Sequence, residues 1–272
     1  MITSSQLKIQ NIKVNYTLYL ADSLLILGHR NSEWCGHGPV LEQDIAITNI
    51  SLDLIGQARN FYQYAAQLIN DDKVVSPLTE QIGGEVNEDS LAYLRDAHQF
   101  KNCLLAEQPN GDWAVTILRQ FFFSVFQYLL YQQLQLSKDT QIAAIAEKAL
   151  KEVTYHVRWS REWVIRLGDG TEESHKRMLK ATDDLWMFTG ELFTPASYEK
   201  EALAEGFGVD ITLLKNGWLQ NIKTVFEEAT LPFPNENAWM QTGGKEGKHT
   251  EYLGYILAEM QYLQRAYPGC EW

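Results

Sequence analysis

Between residues 39 and 69 the apolar side chains Ile47, Ile50, Leu54, Ala58, Phe61, Ala65 and Leu68 recur at steps of three and four. That spacing puts them on one face of an α-helix. Over roughly 30 residues such a helix runs about 45 Å, at roughly 1.5 Å per residue. Pro39 suits its first turn, where a missing N–H has no partner to lose. Residues about 14–30 predict a preceding helix that ends near Gly28, and "EWCGHGP" at 33–39 reads as the loop between them. Further along, Asp112 predicts an N-cap for a helix over 113–136 and Asp139 one for a helix to about 167, which "GDG" at 168–170 stops.

Two long helical hairpins, 14–69 and 113–167, therefore dominate the chain. Packed together they make a four-helix bundle, and a bundle whose hairpins are joined by one long connection is ferritin-like. Residues 70–112 supply that connection, read as a polar loop over 70–88 and a short helix near 89–106. Further helices are predicted near 172–190, 197–205, 211–229 and 248–266. The expectation is an all-α, ferritin-like four-helix bundle with additional C-terminal helices, forming a single domain over residues 1–272. No stretch alternates with the two-residue period of a strand.

Composition narrows the function classes. The formal net charge is −12, and a negative chain repels phosphate backbones, so nucleic acid is excluded as a partner. Cys35, Cys103 and Cys270 are odd in number, far apart and form no CxxC pair, which fits a reducing cytoplasm rather than a disulfide framework. No membrane span is expected: "FFFSVFQYLLY" at 121–131 is too short and is interrupted by Ser124 and Gln127. The apolar "SLLILG" follows Asp22 and has no basic leader or small-residue cleavage site. The reading is a cytoplasmic protein.

The stretch "EKALKEVTYHVRWSREW" at 147–163 poses the functional question. Di-iron bundles need one carboxylate from each of two helices and a Glu-x-x-His pair from each of the other two. Residues three apart share a helix face, so such a pair brings a carboxylate and an imidazole to the same metals. The corresponding positions here are Asp22 on the first helix, Asp53 and Gly56 on the second, Ser124 on the third, and Glu152 and Tyr155 on the fourth. Gly56 and Tyr155 stand where imidazoles belong, and Ser124 stands where a carboxylate belongs. Iron(II) oxygenase sites use imidazole together with carboxylate, so the site reads as dismantled, with no catalytic, cofactor-binding or metal-ligating residue in this chain. His156 comes one position late, turned about 100° around the helix.

The plain alternative for Asp53 and Glu152 is a solvated helix face. His29, His37, His98, His175 and His249 show no metal-ligand spacing. "GGKEGK" at 243–248 lacks the phosphate-loop spacing and follows no strand. Buried vestigial carboxylates would need replacement partners for the metals, and the expectation is hydroxyl donors from Tyr155 and Ser124 with an unidentified Arg or Lys.

Four stretches carry a resemblance. "LGHRNSEWCGHGPVLEQDIAITNISLDLIGQARNFYQYAA", "AEQPNGDWAVTILRQFFF", "KALKEVTYHVRWSREWVIRLGDGTEES" and "TGGKEGKHTEYLGYILAEMQYLQRAYPG" together resemble the PaaC family of phenylacetate-degradation proteins. This is the family of non-catalytic, ferritin-like subunits of bacterial phenylacetyl-CoA epoxidases, which are multicomponent ring monooxygenases. The resemblance implies that no cofactor binds this chain and that di-iron sits in a related catalytic subunit with which it pairs. It also implies a reductase and small accessory subunits as further partners, in a homo- or hetero-oligomer. The loop tryptophans Trp34 and Trp239 are the first candidates for an interface, since aromatic residues are enriched at interface cores; burial in the chain's own core is the competing reading. Two other functions remain: a ferritin-like oxygenase with an altered site built from Asp22, Asp53, Glu152 and His156, and a stand-alone helical binding protein.

Overall fold

The structure, a computed structural model, describes residues 4–71, 84–268 and 270. The part of the 70–88 loop that covers residues 72–83 lies outside the described residues. Among the described residues there are helices and short 3-10 turns but no strand.

Helix α1 spans Ser4–Ser32 and α2 spans Leu41–Asp71. α1 starts well before residue 14 and does not end at Gly28. A Cβ added at Gly28 would lie 3.0 Å from Ile55 Cγ1, so this glycine lets α1 and α2 close on each other inside the helix rather than stopping it. The connection contains α3 (Glu88–Tyr93) and α4 (Leu104–Glu107), with a 3-10 turn at Ala97–Gln99 between them. The single helix expected over 89–106 is thus broken, because Arg95 leaves the helical path to enter the core.

The second hairpin pairs α5 (Trp113–Leu134) with α6 (Thr140–Gly168). The side chain of Asp112 accepts from Val115 N–H at the start of α5, as the sequence predicts. α5 is the one helix among the described residues long and apolar enough to cross a bilayer, yet 78% of that apolar window is buried inside this chain. The four long helices form the bundle, with α2 against α6 and side chains of α1 meeting those of α5 across the interior. Helices α7 (Glu172–Trp186), α8 (Ser197–Glu205), α9 (Leu214–Glu228), α10 (Glu251–Met260) and α11 (Tyr262–Ala266) follow. α7 and α9 pack on α5 and α6, and α8 packs on α1.

Asp139 ties the hairpins together. It caps α6 by accepting from the N–H groups of Gln141 and Ile142, and it also accepts from Tyr64 Oη at 2.6 Å and pairs with Lys13 Nζ at 2.7 Å. Burial opposes its charge, but these donors outweigh burial and hold the carboxyl below the ordinary carboxylate range. A folded-state pKa below the unfolded one means stabilisation that is present at neutral pH and is lost as pH falls through the folded value. Asp139→Ala is expected to cost about 1–2 kcal/mol, at the upper end of a cap loss, and to flatten the acid limb of a plot of urea midpoint against pH.

The "GGKEGKH" segment is a clasp. Glu191 accepts from Leu104 N–H and Gly243 N–H, both at 2.7 Å, and Lys245 pairs with Glu199 at 3.0 Å with both side chains buried. Gly247 has φ +80°, and a Cβ there would lie 2.2 Å from His98 O; only glycine fits. Glu107, fully buried, accepts from Thr250 N–H and Oγ1 at 2.7 Å each, from Asn102 Nδ2 at 2.8 Å and from His249 Nδ1 at 2.8 Å. His249 Nε2 faces Phe100 O at 3.0 Å. Both ring nitrogens therefore meet acceptors, which favours the imidazolium. Burial alone lowers the His249 pKa, but the Glu107 hydrogen bond and charge raise it above its ordinary value. The stabilisation is complete below the ordinary histidine value of about 6.5 and is lost as pH rises through the elevated one. Urea midpoints should fall over that window in the unaltered protein, and this fall should vanish in His249→Gln.

Candidate functional site

Asp22 of α1 lies in the core with no exposed surface. Its Oδ1 accepts from Tyr62 Oη at 2.6 Å and from Arg95 Nη2, and its Oδ2 accepts from Arg95 Nη1 at 3.1 Å and from Lys101 N–H at 2.7 Å. Arg95, equally buried, stacks on Phe100 with its guanidinium carbon 4.2 Å from the ring centroid and gives a further bond to Gln99 O at 3.1 Å. Burial works against the guanidinium charge, but Asp22 and Tyr62 outweigh it, so its pKa is raised. The Tyr62 hydroxyl is pushed well above its ordinary range by burial and by Asp22. A fork of two guanidinium N–H groups, a hydroxyl and an amide thus occupies the carboxylate, and the buried charge is balanced inside the protein. Arg95 fills the role of the unidentified cation that the sequence called for, at Asp22 rather than at Glu152.

The facing side of α2 and α6 is one helical step out of the expected phase. Leu54, Gln57, Ala58 and Phe61 point inward from α2, and Val153, His156 and Ser160 from α6. Gly56 and Tyr155 are exposed instead. Tyr155 therefore does not donate into the core, and the arrangement expected of it is corrected; its ring lies beside Arg158, 5.8 Å from the guanidinium carbon. Asp53 is about one-third exposed and bonds fully buried His156, with Oδ2 3.0 Å from Nε2. Glu152, partly buried, accepts from Gln57 Nε2 at 2.7 Å, and Gln57 Oε1 accepts from Gln127 Nε2 at 2.7 Å.

Ser124 is fully buried and accepts from Gln120 Nε2 at 2.7 Å. Gln120 Oε1 in turn accepts from Asn31 Nδ2 at 2.6 Å, and Asn31 Oδ1 accepts from Arg119 at 3.2 Å. Ser124 thus joins α1 to α5 without reaching Asp53 or Glu152. Sequence reasoning missed Arg95, Gln57, Gln127, Asn31 and Gln120. For Gln57 the signal was present: it sits in phase with Leu54, Ala58 and Phe61.

These positions do not fit a di-iron centre. Asp22 has its oxygens filled by four donors, Gly56 and Tyr155 face outward, and Ser124 is engaged elsewhere. Among the described residues no three His, Cys, Asp or Glu side chains converge where a metal ion could sit. Of the two tryptophans, Trp34 packs edge-on against Trp113, with centroids 5.0 Å apart, and donates to Thr116 Oγ1 at 2.9 Å. Trp239 is 70% exposed. A second apolar surface was not anticipated: Leu41, Ile45 and Leu52, at steps of four and seven along α2, are 72%, 52% and 62% exposed.

The architecture defines a class, an all-α, ferritin-like helical bundle whose core carries paired charged and polar side chains. Sequence comparison gives the family. The chain belongs to the phenylacetic acid catabolic protein family, which it matches over residues 3–272. It is 49% identical over 257 residues to a 1,2-phenylacetyl-CoA epoxidase component from Escherichia coli (strain K12), the one designated C, covering 94% of this chain and 98% of that one.

Proposed function

We propose that this chain is a non-catalytic subunit of a phenylacetyl-CoA epoxidase complex in aerobic phenylacetate catabolism. It pairs with a related subunit that carries the di-iron centre, in the cytoplasm, alongside a reductase and small accessory subunits. The observation that carries this reading is the Asp22–Arg95 pair: a core carboxylate that a metal bundle would spend on iron is neutralised by an arginine from the connection. The chain therefore has a reason to fold without metal, and its described residues offer no ligand set for oxygen chemistry. The likeness to an epoxidase component over nearly the whole length supports the same role. The strip Leu41–Ile45–Leu52 supports a lasting association, since permanent interfaces are the more hydrophobic ones.

Reconstitution tests the proposal. Alone, with any reductase, the chain is expected not to oxidise phenylacetyl-CoA. Mixed with the catalytic subunit it should elute as a complex in size-exclusion chromatography and raise turnover. Equal turnover by the catalytic subunit without it would overturn the supporting role.

A further inference from the structure

Between α1 and α5 the bundle encloses a cavity of about 20 Å³. Ser23 of α1 and Gln127 and Tyr131 of α5 line it together with leucine and aromatic side chains, and every lining residue is buried. A space of roughly 10–15 Å³ is enough for one water molecule, but an apolar cavity of that size stays dry. The polar wall decides between the two.

Gln127 is 2% exposed, and its Oε1 has no hydrogen-bond partner. The amide cannot simply be turned over. Glu152 accepts from Gln57 Nε2, so the Gln57 oxygen points the other way, toward Gln127. That oxygen needs a donor, which is Gln127 Nε2 at 2.7 Å. A carboxylate that only accepts thus fixes two amides in series, and the group left over at the inner end of the chain is an acceptor. Ser23 Oγ accepts from Cys103 N–H at 3.2 Å and also lies beside the Cys103 thiol, a weak acceptor. The Tyr131 hydroxyl makes a long contact, 3.5 Å, to Gln57 Oε1 and lies beside the Gln127 side chain. The cavity therefore presents an orphaned acceptor and two hydroxyl groups.

We infer that this cavity is a binding site for one ordered water, which donates to Gln127 Oε1 and bridges to Ser23 Oγ and the Tyr131 hydroxyl. Three polar partners lie in the usual range for a buried water. The water completes a chain that begins at Glu152 on the α2–α6 face and ends against α1, so the helices of the bundle share one polar thread.

A crystal structure of the full chain, at a resolution that shows ordered solvent, tests this. One peak is expected within about 2.7–3.2 Å of Gln127 Oε1. In Gln127→Leu, which removes the acceptor, the peak should be gone with α1 and α5 in place. Should that variant fail to fold, oxygen-17 relaxation dispersion of the unaltered protein is the second readout, and a long-lived internal water is expected. An empty cavity, or Gln127 Oε1 turned to a protein donor, would overturn the inference. So would an anomalous peak there after a rubidium soak, because the occupant would then be a monovalent cation.

Discussion

Arg95→Met is expected to lower the unfolding free energy by about 3–5 kcal/mol, because it strands Asp22 as an uncompensated charge in the core. The pair has no exposed surface on either side, so solvent cannot screen or rehydrate the carboxylate. Tyr62 Oη and Lys101 N–H would remain as donors, which is why the protein should still fold at low temperature. The double variant Asp22→Leu/Arg95→Met should recover most of the loss, since an apolar pair of similar volume removes the buried charge altogether. Urea midpoints of the wild type, both single variants and the double variant give the coupling. A loss under about 1 kcal/mol in Arg95→Met would mean that Arg95 is not the group that balances Asp22 in the core.

The second large effect concerns association. Leu41→Lys and Leu52→Lys place charges on α2 positions that touch little within the chain. Their effect on folding should stay within about 0.5 kcal/mol. If the strip meets the catalytic subunit, each change should weaken the complex by about 2 kcal/mol or more, as for an interface hot spot. That corresponds to roughly thirtyfold in Kd. Titration by calorimetry against the catalytic subunit reads this directly. Trp239→Ala is the companion test for the exposed loop tryptophan, and it should separate that loop from α2 as the contact surface. Unchanged affinity in both lysine variants would move the interface elsewhere on the molecule.

The long helices are legible because their apolar stripes are long: three- and four-residue steps repeated over about six turns leave no other secondary structure. Caps at Asp112 and Asp139 are legible for a local reason, a short acceptor side chain just ahead of free N–H groups. The phase of the site is also written in the sequence. Ile142, Ile145, Ala149 and Val153 mark the inner face of α6, and continuing that stripe brings His156 inward and turns Tyr155 outward. The spacing of a metal motif points one residue away from that stripe. Arg95 is not legible at all. It lies 73 residues from Asp22, in a connection whose helix breaks so that the side chain can turn inward. No local pattern announces a charge pair between distant segments. The clasp is hidden for the same reason, since glycines that serve close backbone approach look, in sequence, like those of any loop.

The proposed role has side-chain partners where a metal bundle holds iron, with oxygen chemistry left to another subunit. Elemental analysis of the full chain, produced in iron-replete cells and purified without its partner, tests that most directly. Iron far below one atom per chain is expected, with a melting temperature that chelators leave unchanged. A content near two irons per chain would contradict it.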